Sequence, residues 1–84
     1  MITEEQVELL NKHGFEALPE VSLIRDKNNS NSSVQIIYNK KINTFELGII
    51  GGTLSEECFY EYARDFFAKA KLVEELNNLA GCNQ

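Results

Sequence analysis

The chain has no tryptophan, one proline, one histidine and two cysteines in 84 residues. Each scarcity closes off a class of function. A lone histidine, His13, with Cys58 and Cys82 far apart and in no C-x-x-C pair, gives no metal-ligand spacing. It also leaves a single Cys–His pairing, Cys58 with His13. Glu56, Glu57 and Glu61 oppose a thiolate at Cys58, and His13 is accounted for as a positive group at a helix C-terminus. Two scattered thiols build no disulfide framework and suit a reducing compartment. No apolar run approaches the roughly 18 residues that span a bilayer. Met1-Ile2-Thr3-Glu4-Glu5 places acids where a signal peptide carries bases. A cytoplasmic protein is expected. Bases are scarce too: 8 Lys and Arg face 13 Asp and Glu, for a net charge of −5. That balance disfavours direct contact with nucleic acid or an anionic membrane, whose phosphates demand Lys and Arg. It favours another protein, of basic character, as partner. No cofactor, no metal and no enzymatic activity are expected.

What is present suits one globular domain over 1–84, with 43% hydrophobic and 25% charged residues. Thr3 and Gln6 make a capping box, and Ile2 and Val7 occupy the staple positions around it. Lys12 and His13 complement the dipole in the last turn, and Gly14 is the left-handed stop. A helix over 4–13 follows. Val21, Leu23 and Arg25 then alternate with Ser22, Ile24 and Asp26, the period-two signature of a strand. Residues 27–33 contain no apolar side chain and read as a loop. A second strand covers Val34 to Asn39, with Val34, Ile36 and Tyr38 on one face. A third covers Thr44 to Ile50, with Phe45, Leu47 and Ile49 sharing a face. Gly51-Gly52-Thr53 lacks the Walker lysine and the G-x-G-x-x-G spacing, so it reads as a tight strand-to-helix turn.

The last helix begins between 54 and 56, capped by Thr53 or Ser55, and ends at Gly81. At about 100° per residue, Phe59, Tyr62, Ala63, Phe66, Ala70 and Val73 form one apolar stripe. Leu72, Leu76 and Leu79 fall roughly 80–140° away from it. Such a helix is about 38 Å long, against about 20–24 Å for the strands. Either it bends near residues 68–71 and wraps onto the first helix, or its end meets another chain through Leu72, Leu76 and Leu79. The expected fold is α+β, in the order α-β-β-β-α. It has a three-stranded antiparallel sheet and both helices on one face. The expected core is Val7, Leu10, Phe15, Leu23, Ile36, Phe45, Leu47, Ile49, Phe59, Tyr62, Phe66 and Val73.

Two surface patterns lie on the last helix. Glu57, Glu61 and Asp65 follow i, i+4, i+8, a like-charge series that costs helix stability and forms either a solvated face or a ridge for a basic groove. Tyr60, Arg64, Phe67 and Lys71 follow i, i+4, i+7, i+11 on the face away from the main stripe. Tyr, Phe and Arg are the types that dominate protein interfaces, unless the 15–20 segment covers Phe67. The candidate protein-binding residues are therefore Glu57, Glu61, Asp65, Tyr60, Arg64 and Phe67.

The α-β-β-β-α order resembles the double-stranded-RNA-binding domain, which grips phosphates with bases at the start of its last helix. Here Gly51-Gly52-Thr53-Leu54-Ser55-Glu56-Glu57-Cys58 puts acids in that place, so the resemblance implies the topology without the RNA binding. In size, charge and architecture the chain also resembles some small acidic anti-CRISPR proteins. That resemblance implies a phage- or mobile-element-encoded inhibitor of a nucleic-acid-binding defence protein. The leading expectation is a non-catalytic binding module or inhibitor. The alternative is a homo-oligomer, a dimer for example, joined through the C-terminal helix.

Overall fold

A computed structural model describes residues 1–29, 32–50 and 55–81, with the backbone alone at 57, 58, 80 and 81. The expected Gly51-Gly52-Thr53 turn, the Thr53 cap and Cys82 lie outside the described residues. So do the side chains of Glu57 and Cys58.

The architecture is α+β, with two helices and antiparallel strands. Helix α1 spans Glu4–Lys12, and Thr3 and Gln6 form the reciprocal capping box at its start. Gln6 Oε1 accepts from the Thr3 amide at 2.8 Å, and the Gln6 amide donates to Thr3 Oγ1 at 3.2 Å. Gly14 ends the helix at φ +85°, a left-handed conformation that costs a side-chain-bearing residue free energy.

The strands depart from expectation. Among the described residues there are four, not three, and they form two separate hairpins instead of one three-stranded sheet. Strand β1, Phe15–Leu18, pairs with β2, Leu23–Asp26; β3, Val34–Asn39, pairs with β4, Thr44–Ile49. Between β1 and β2 the chain reverses through a 3-10 turn at Pro19–Val21, with Ser22 left-handed at φ 54°. Proline's fixed φ starts that turn two residues before the expected strand, and the turn takes Val21 and Ser22 out of it. The first expected strand is thus shortened to its last four residues, and the segment 15–18 becomes its partner. β2 approaches β3 without laddering, and a cleft of about 250 Å³ is lined by Leu23, Arg25, Val34 and Ile36 from the two strands. The double-stranded-RNA-binding topology therefore does not describe this chain.

The core gathers Ile2, Leu10, Phe15, Ile36, Tyr38, Phe45, Leu72 and Leu76, with Val7, Leu47 and Val73 packed against it. Of the expected core, Leu23, Ile49 and Phe59 are instead exposed, and Tyr62 and Phe66 are half-buried outside the cluster. Ile49 shares the core face of β4 but pairs with Val34 at the end of the hairpin, where the sheet runs out.

Helix α2, Glu56–Gly81, is uninterrupted through residues 68–71. The Ser55 carbonyl accepts from the Phe59 amide at 3.0 Å, so Ser55 stands at the helix start. Its 26 residues account for about 39 Å at 1.5 Å per residue, most of the 43 Å long axis of the molecule.

Candidate functional site

Three polar side chains fasten the C-terminal part of α2 to the body. Lys69 is only 4% exposed. Its Nζ donates to Val34 O at 2.7 Å, Ser32 Oγ at 3.0 Å and Asp65 Oδ2 at 3.0 Å, and pairs with Asp26 Oδ2 at 3.1 Å. Asn77 takes both backbone groups of Phe45: its Oδ1 accepts from the amide at 2.8 Å and its Nδ2 donates to the carbonyl at 3.0 Å. That bidentate contact satisfies β4 backbone groups that would otherwise be left bare at a strand edge. Gln6 Nε2 donates to Leu76 O at 3.0 Å and ties α1 to α2. Ser32 lies beside Lys69, but two carboxylates embrace the ammonium, so this group serves as an anchor and not as a base for Ser32.

Before Lys69, toward its N-terminus, α2 changes character. Phe59, Tyr60 and Phe67 are 55%, 73% and 70% exposed. Tyr62 and Phe66 are half-buried and belong to no part of the core cluster. The five rings form two groups along the helix, Phe59 with Tyr60 and Tyr62 with Phe66 and Phe67. Phe59 meets Tyr60 edge-on at 6.0 Å, Tyr62 stacks on Phe66 at 6.2 Å, and Phe66 meets Phe67 edge-on at 6.0 Å. Glu56, Glu61 and Arg64 are exposed among them.

The expected protein-binding residues therefore divide. Tyr60, Glu61, Arg64 and Phe67 share this exposed segment, and no 15–20 cover lies over Phe67. Asp65 does not belong with them. It is half-buried, accepts from Ser32 and is paired with Lys69, so the supposed acidic ridge loses its third member to the fold. The Glu57 side chain is outside the described residues. The candidate oligomer interface is also dismantled. Leu72 and Leu76 are in the core at 4% and 0% exposure, and only half-buried Leu79 reaches the surface.

Lys69 and Asn77 escaped the sequence reading, yet their signal was there; Gln6 was read as a cap, and its bond to Leu76 was not. At 100° per residue Lys69 falls between the aromatic stripe and the leucine stripe, and Lys69, Val73 and Asn77 follow i, i+4, i+8. Counting Lys69 as polar splits one body-facing arc into two.

Among the described residues, no group of His, Cys, Asp and Glu is placed to hold a metal ion, and no helix is long and apolar enough to cross a membrane. Comparison with family models, curated proteins and solved structures returns no match to this chain.

Proposed function

We propose that the protein is a non-catalytic binding module or inhibitor, and that it engages another protein through the N-terminal half of α2. One observation carries this reading: Phe59, Tyr60 and Phe67 are more than half exposed on a helix segment that the core does not use. Aromatic side chains of that size are costly to leave in water and are the usual anchors of interfaces. Glu56 and Glu61 flank the rings, so the fitting partner has apolar pockets rimmed by Lys or Arg. A nucleic-acid-binding surface has such a rim, and occupying it is how an acidic inhibitor of a defence protein acts.

The test compares capture by the wild-type chain with capture by a Tyr60→Gln/Phe67→Gln variant, at low and high salt. A partner retained by the wild type, lost at least tenfold by the variant and weakened by salt is the expected result. A partner held equally by both chains removes the α2 surface from the account.

Self-association is the second reading, and the exposed rings favour it as much as a foreign partner. If it holds, the dimer seam lies on the aromatic half of α2 and not on Leu72 and Leu76. Light scattering over a dilution series separates the two readings, because a monomer at the highest concentration leaves only the foreign partner.

A further inference from the structure

The second surface lies at the other end of α2, where it runs beside α1. There α1 presents Glu5, Glu8, Leu9 and Lys12, one stripe at i, i+3, i+4, i+7, and α2 presents Glu75 and Leu79. Together they bound an open groove of about 540 Å³. Leu9 and Leu79 are half-buried and form its floor, whereas Glu5, Glu8, Glu75 and Lys12 are exposed on its rim. Three carboxylates thus stand against one ammonium around an apolar bed.

We infer that this groove receives a basic amphipathic helix from a second protein. Helix-in-groove recognition needs an apolar floor for residues spaced i, i+3 or i+4, i+7, and a rim that selects the charge on the helix's flanks. Both are here, and the rim selects Lys and Arg. The stripe from Glu5 to Lys12 extends about 10 Å, so two to three turns of helix occupy it. A second copy of this chain does not suit the site. Its α1 carries Glu4, Glu5 and Glu8, and the exposed start of its α2 carries Glu56 and Glu61, so either would set carboxylate on carboxylate. Nucleic acid and anionic lipid meet the same repulsion. Phe67, the exposed ring nearest the groove, is 8 positions from Glu75 and 12 from Leu79, about 12 Å and about 18 Å along the helix axis. The groove is therefore separate from the aromatic surface, and either can fail without the other.

The probe is a synthetic peptide of about 14 residues, with leucines at helical spacing and lysines elsewhere. Its control has the same composition with the leucines scrambled. Binding is followed by calorimetry and by leucine methyl resonances. The expected result is binding that shifts the Leu9 and Leu79 methyls and weakens about tenfold or more on Glu8→Lys/Glu75→Lys. The distant reversal Glu56→Lys/Glu61→Lys, which changes net charge equally, costs less than about threefold, and Tyr60→Gln/Phe67→Gln costs nothing. Four results overturn the inference: no binding by the wild type, equal binding of the scrambled peptide, equal loss from both charge reversals, or methyl shifts confined elsewhere. Circular dichroism of each variant confirms that the fold is kept.

Discussion

A lysine ammonium taken out of water must spend its donors, and Lys69 spends them on oxygens from β2, the segment before β3, β3 itself and its own helix. It is thus a single side chain that holds three parts of the fold in register. Asp26 serves the same junction from its other oxygen, which accepts from the Asn28 and Asn29 amides and shapes the start of the loop. Replacing Lys69 with Met leaves Asp26 and Asp65 facing each other without a cation. The expected loss is about 3 kcal/mol, the low end for breaking a buried pair because both carboxylates retain some water. Urea unfolding measures it; a loss below about 1 kcal/mol contradicts the anchor role. Tyr38 gives a second test at this scale. Burial raises its hydroxyl above the ordinary value of about 10. The folded protein therefore keeps that proton to higher pH than the unfolded chain does. The stability tied to Tyr38 is complete below about pH 10 and is lost as pH rises further. Tyr38→Phe should fall in stability less steeply than the wild type above pH 10, and parallel slopes refute the assignment.

Elements whose ends are written in local chemistry were legible, and those that depend on distant partners were not. The capping box and Gly14 define α1 without reference to anything else in the chain. Replacing Gly14 with Ala forces a methyl group into a left-handed site, where the added carbon runs into the Asn28 side-chain amide. We expect a loss of about 1–2 kcal/mol, measured by thermal unfolding. β1 was missed because four residues beside a proline carry almost no strand signal until β2 folds back on them. The β3–β4 hairpin announced itself through alternation, and Asn43 at φ +58° supplies the left-handed turn position. For α2, the length and the boundaries were readable, but its facing direction was not, since Lys69 lies inside the apolar arc. The leucines show the consequence. Leu76→Glu should unfold the protein and not dissociate a dimer, because the side chain is fully buried beside Leu10 and Ile2. A folded Leu76→Glu variant, detected by circular dichroism, places the residue outside the core.

Across the whole molecule, α2 has two tasks divided along its length. From Lys69 to Leu79 it is fastened by Lys69, Asn77, Leu72 and Leu76. From Glu56 to Phe67 it carries exposed rings and charges outside the core, with Asp65 turned to the Lys69 anchor. A chain of this size has little apolar surface to spare, and the three exposed aromatic side chains on this helix are what the proposed recognition role rests on. The proposed surface was partly legible: the exposure of Tyr60, Arg64 and Phe67 followed from spacing alone. Asp65 could not be separated from Glu61 without knowing that Lys69 and Ser32 lie against it. The division of α2 is best tested by urea unfolding of the Phe59→Gln/Tyr60→Gln/Phe67→Gln variant, in which helix propensity is preserved. The account predicts a stability within about 1 kcal/mol of the wild type, as for surface substitutions. A loss above about 3 kcal/mol, the cost of truncating core aromatics, would show that these rings hold the fold together and that the recognition surface lies elsewhere.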